Sequence, residues 1–255
     1  MSRVFPRAGL HDAELLRFLN TKGLLQLPLD TQDVGQALGD WFDFRQAIAL
    51  QGFFSNLDST ATIQGVACAR IDARVLHERF ARIRAALEQS IVEGTPPAPT
   101  LARIDEPATE LATPIDLKTA FEPFRRFALG HQRQMELVIK GLRAQLRAML
   151  DTGGTPHKQL AVLDALFENV LISREARSLG QIPLAFEKRF AQALQQHMKQ
   201  LLKAAEADEP APRTTPWLEP LLDDLRTALL AELDLRLQPV LGLIEALTQD
   251  TPQEQ

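Results

Sequence analysis

The stretch Phe124–Leu150, FRRFALGHQRQMELVIKGLRAQLRAML, decides how this chain folds. With Phe121 at position a of a heptad, the a and d positions read Phe121, Phe124, Ala128, His131, Met135, Val138, Leu142, Gln145 and Met149. All but His131 and Gln145 are apolar, at alternating three- and four-residue spacing. That is a coiled-coil-like seam. Ile139 and Leu146 at e widen it into a bundle face.

Opposite the seam, the f positions read Arg126, Arg133, Lys140 and Arg147, flanked by Arg125 and Arg143. Ideal heptad geometry makes them a straight ridge with a step of about 10.5 Å. The ridge has three readings. It can bind phosphate, an acidic partner or anionic lipid. It can be an ordinary solvated face, since Arg and Lys are good helix formers. It can also hold the acidic last helix, with Glu219, Asp223, Asp224, Glu232 and Asp234. The ridge's neighbours supply no exposed aromatic for stacking, which disfavours single-stranded nucleic acid.

His131 at d is expected to hydrogen-bond across the seam and help fix register, or to make a pH-sensitive contact. Gly130 is expected to mark a bend or a close crossing, and Pro123 a second kink.

Helix periodicity continues on both sides. Residues about 11–20 and 31–51 read as two N-terminal helices, the second with Leu38, Trp41, Arg45 and Ile48 on one side. Trp41, Phe42, Phe44, Phe53 and Phe54 form an aromatic cluster there, expected to be a small core or a docking patch. From Arg70 to Gly94, Val75, Phe80, Ile83, Leu87 and Ile91 recur at helical spacing, and Gly94 is a natural stop. Pro96, Pro97, Pro99, Pro107 and Pro114 then break regular structure. Three helix starts carry Thr-Pro: Thr113-Pro114, Thr155-Pro156 and Thr215-Pro216. Thr caps the first turn, and Pro at the first helical position loses no needed hydrogen bond. Pro239 lies inside the last helix and should kink it.

The expected fold is all-α. Residues 1–94 form an N-terminal helical segment and 95–113 a Pro-rich linker. Residues 114–205 form an elongated helical bundle or coiled-coil-like hairpin. An acidic linker, 206–215, leads to a C-terminal acidic amphipathic helix and tail, 216–255. That last helix carries Leu218, Leu222, Leu225, Leu229, Leu233, Leu237, Val240, Ile244 and Leu247, a seam able to pair with a second chain or to close the bundle.

Charge is segregated. Residues 204–255 carry eleven acidic and three basic side chains, whereas residues 70–203 carry twenty basic and fifteen acidic. This points to polar partners or to pairing of the two parts. The start, MSRVFPRAGLHDAE, has no apolar secretory core, and no run is long and apolar enough to cross a membrane. A cytoplasmic protein is expected.

Chemistry is sparse. Cys68, the single cysteine, lies in GVACARI and reads as a buried thiol. Neither a disulfide within the chain nor a Cys-based zinc site can form. No histidine among His11, His77, His131, His157 and His197 has Glu or Asp three residues before it, and no two are four apart. The di-iron and zincin patterns are therefore missing. Neither a phosphate loop nor a GxSxG nucleophile elbow is found. No catalytic residue, cofactor or metal is expected.

WFDFRQAIAL (Trp41–Leu50), ERFARIRAALEQSI (Glu78–Ile91), FRRFALGHQRQM (Phe124–Met135) and LAFEKRF (Leu184–Phe190) together resemble an uncharacterised bacterial family catalogued as a domain of unknown function. The likeness runs in the same order to about residue 203. Members of that family are encoded beside stator-like and OmpA-like membrane proteins, including a variety of Zorya anti-phage defence systems. The resemblance implies a non-enzymatic adaptor working with a membrane motor, with a second soluble helical protein as partner. A homo-oligomer is a further expectation. The alternative is a nucleic-acid-binding effector or sensor that uses the basic ridge.

Overall fold

A computed structural model of the chain describes residues 14–24, 47, 48, 50–53, 73–108, 116, 119–206 and 215–249. Among these residues there are six long helices and no strand: α1 (Glu14–Thr21), α2 (Ala73–Glu93), α3 (Glu122–Asp151), α4 (Thr155–Leu179), α5 (Gln181–Glu206) and α6 (Leu218–Gln249). The fold is all-α. The Thr113-Pro114 cap, Cys68, His11 and most of the helix expected over 31–51 lie outside the described residues, as do Trp41, Phe42, Phe44 and Phe54 of the aromatic cluster.

Local chemistry explains the helix ends. Gly94, at φ 69°, ends α2, and its N–H donates to the Ser90 carbonyl. A turn precedes α3, where the Asp116 carbonyl accepts from the Thr119 and Ala120 N–H groups. Pro123 falls in the first turn of α3, where a missing N–H leaves no bond unmade, so the expected kink there is not needed. Thr155 opens α4 as its Thr-Pro signal indicated. Pro239 sits within α6 and removes the N–H that would bond the Leu235 carbonyl. Leu235 is exposed, so water can take that carbonyl.

The contacts divide the chain into two compact units. The first comprises residues 1–28, 88–133 and 180–235; the second comprises 29–87, 134–179 and 236–255. Both differ from the linear division expected from the sequence. Residues 95–108 are no free spacer. They belong to the first unit, with Pro107 buried and Glu106 paired to Arg226 at 2.6 Å. Ile104 packs on Gly130, where an added Cβ would stand 3.1 Å from Ile104 Cδ1. Gly130 thus marks a close crossing, made by a side chain.

The first unit's core gathers Phe121, Phe124, Phe190 and Trp217, with neighbouring ring centroids 5.2–5.8 Å apart. Leu15 and Leu19 of α1 are buried, and α1's end is tied to α6 by Lys22–Asp224 at 2.7 Å. Asp224 also takes Arg189 of α5 at 2.6 Å. The second unit buries Leu76 and Phe80 of α2, Ile139, Leu142, Leu146 and Leu150 of α3, and Leu237, Val240 and Ile244 of α6. On α2 the buried row runs through Leu76, one position from the expected Val75, which is exposed.

Candidate interaction surface

Along α3 the buried row reads Phe121, Phe124, Ala128, His131, Met135, Ile139, Leu142, Leu146 and Leu150. The heptad reading holds to Met135 and then fails: Gln145 is exposed and Met149 only half-buried. The physical cause is the helix period. A straight helix of 3.6 residues per turn drifts about 20° per heptad from a strict 3.5 repeat. From Phe121 to Leu150 the buried row follows the 3.6-residue period rather than the heptad's.

The same drift divides the basic ridge. Over the three heptads from Arg126 to Arg147 it turns the f row by about 60°. The Arg126 side chain is 73 % exposed. Arg147 and its flanking Arg143 are 16 % and 12 % exposed, inside an ion cluster with α4. There Asp164 accepts from Arg143 at 2.6 Å and from Arg147 at 2.7 Å, and Glu168 holds Arg147 at 2.8 Å. Burial alone would lower the Arg147 pKa, but hydrogen bonds and charge from Asp164 and Glu168 raise it above its ordinary value. Arg125 pairs with Glu187 of α5 at 2.6 Å. Of the six ridge residues, Arg126, Arg133 and Lys140 are left exposed. Among the described residues the ridge's counter-charges come from Glu122 of α3 itself, Asp164 and Glu168 of α4 and Glu187 of α5, rather than from the acidic last helix.

The α6 seam is closed within the chain. None of Leu218, Leu222, Leu225, Leu229, Leu233, Leu237, Val240, Ile244 and Leu247 is more than 9 % exposed. Ala228, Ala231 and Glu232 are buried as well, so α6 is covered nearly all round at its middle. Glu232 accepts a hydrogen bond from Gln132 Nε2 at 2.8 Å.

His131 is buried, edge-on to Phe127 at 4.5 Å, and its Nε2 has no hydrogen-bond partner. The expected bond from that nitrogen across the seam is not made. Burial pushes its pKa from 6.5 down to about 4. His77 Nδ1 bonds the Ala73 carbonyl, and His157 Nε2 lies 3.3 Å from the Ala246 carbonyl. His197 is buried near Trp217. Among the described residues no group of His, Cys, Asp and Glu could hold a metal ion, and no helix is long and apolar enough to cross a membrane.

Periodicity also missed a surface of the second unit. α3 and α4 are joined by three residues. The pairs Arg147–Asp164 and Arg143–Glu168 have residue numbers with the same total, the register of two antiparallel helices. On α3, Leu137, Ala144 and Ala148 lie about 100° round from the line through Arg143 and Arg147 that faces α4. On α4, Val162, Ala165 and Ile172 lie about 100° round from Asp164 and Glu168, in the same sense. For antiparallel helices, equal rotations point to the same side of the hairpin. On α3 that side is opposite the buried row. Yet Leu137 is 53 %, Val162 49 % and Ile172 39 % exposed, with Ala144 and Ala148 exposed between them.

No curated protein and no solved structure matches this chain. A family model covers residues 1–249, in keeping with the resemblance carried by the four helical segments. The chain belongs to the family described as "Protein of unknown function (DUF3348)".

Proposed function

We propose that this protein is a non-enzymatic interaction module that works through helix–helix contacts, with the outer side of the α3–α4 hairpin as its docking surface. One observation carries the reading. Leu137, Val162 and Ile172 stand exposed on one side of a hairpin whose central carboxylates, Asp164 and Glu168, are turned to Arg143 and Arg147. A helix face meant only for water carries charge, whereas an apolar face ringed by polar residues fits a partner helix. The α6 seam is used internally, so it is not this surface.

The partner class follows from the resemblance: an adaptor of a membrane-motor-linked anti-phage defence system, working in the cytoplasm beside stator-like and OmpA-like proteins. The nucleic-acid reading is weaker, because four of its six cations, Arg125, Arg126, Arg143 and Arg147, are engaged with carboxylates of the same chain.

The test is co-expression of the full chain with the proteins encoded beside it, followed by affinity isolation. Wild type should retain a partner, and Val162→Glu with Ile172→Glu should lose it while keeping its helical content and melting temperature. Retention unchanged in the double variant would overturn the docking surface.

A further inference from the structure

We infer that the outer side of the α3–α4 hairpin pairs with the same side of a second copy of this chain, across a two-fold axis. This rests on the reading of that side as a docking surface and names its occupant.

The surface is charge-complementary to itself. Lys140 and Asp151 are exposed charges on this side of α3, eleven residues apart, and neither pairs with another charge among the described residues. A two-fold axis lying in the surface and perpendicular to the helices reverses α3 and lays it over its own copy. If the axis passes midway between Lys140 and Asp151, each Lys140 faces the other copy's Asp151. The two contacts then lie roughly 16 Å apart along α3.

The register of the hairpin, set independently by Arg147–Asp164 and Arg143–Glu168, places Ala165 of α4 at that same level. Ala144 and Ala148 flank the level on α3. Small residues therefore sit where the two copies approach most closely. The larger Leu137, Val162 and Ile172 lie farther out. On α4 the operation brings Lys158 opposite Ser173. An isologous contact needs this match of a patch with its own reversed image. Paired charges at its ends fix which register forms.

Sedimentation velocity and light scattering on the purified full chain read the outcome. The chain mass is 28.4 kDa, and the wild type should approach twice that as concentration rises. Ala144→Glu should remain folded, because position 144 is exposed and Glu is a good helix former. It should be monomeric over the same range. Lys140→Asp sets carboxylate against carboxylate twice and should weaken self-association at least tenfold. Adding Asp151→Lys should restore most of it.

A wild type that stays at monomer mass would overturn the pairing. So would a dimer indifferent to Ala144→Glu, or a charge-swapped double variant no stronger than Lys140→Asp alone. A monomeric wild type that still loses its neighbour-encoded partner on Val162→Glu with Ile172→Glu would reject the second copy as occupant but leave the interaction module standing. A dimer whose partner retention ignores those substitutions would support the pairing and reject the hairpin as the partner's site.

Discussion

His131 is a buried neutral imidazole. The folded ring resists protonation down to about pH 4, while the unfolded ring takes a proton near its ordinary 6.5. The unfolded state therefore binds more protons between these values. Stability is fully present above pH 6.5 and falls as pH drops toward 4. The loss is roughly 3 kcal/mol when complete and about 2 kcal/mol by pH 5. His131→Leu should abolish this component, so its urea midpoint should fall less than wild type's between pH 7 and pH 5. Equal falls in the two proteins would refute the assignment. Two glycines give a second contrast. Gly242 lies in α6 with open space around its missing side chain. Gly242→Ala should add about 1 kcal/mol and raise the melting temperature by roughly 2–4 °C. Gly130→Leu should instead cost about 1–3 kcal/mol, by driving Ile104 off α3. Glycine is costly inside either helix, and the packing of Ile104 separates the two positions.

At the scale of the element, α3 has one composition along its length but two electrostatic roles. Arg143→Gln with Arg147→Gln strips Asp164 and Glu168 of their partners in a setting mostly closed to water. That should cost about 2–4 kcal/mol. Arg126→Gln with Arg133→Gln should change stability by less than about 0.5 kcal/mol, since these side chains are exposed. Thermal melts of the two variants decide the matter, and comparable losses would mean the ridge is one surface after all. Helical spacing identified every one of these cations. It could not say which of them meet carboxylates, because the f row of a straight helix turns with distance. The α3–α4 hairpin shows the same limit from the other side. Its loop and its Thr155-Pro156 start are visible in sequence. The exposed outer side is not, because polar and apolar residues are both spread round α4 and its pattern singles out no face.

For the molecule, α6 is the chief apolar contributor, with buried positions in both units. Leu233→Ala, at a site with no exposure, should cost about 2–5 kcal/mol. A denaturation midpoint within about 0.5 kcal/mol of wild type would show that α6 is peripheral. α3 begins at Glu122 rather than at Thr113-Pro114, and α6 at Leu218 rather than at Pro216. The all-α class, the stop of α2 before Gly94, the end of α3 at Asp151 and the Thr-Pro start of α4 could be read from the amino acids alone. These depend on hydrogen bonds four residues long, on capping side chains and on the fixed φ of proline, all of them local. The closure of the α6 seam, the packing of residues 95–108 and the split of the basic ridge could not. They depend on pairs such as Arg147–Asp164 and Gln132–Glu232, 17 and 100 residues apart. They depend also on a helical drift of about 20° per heptad, which sets the faces that meet only after every helix is in place.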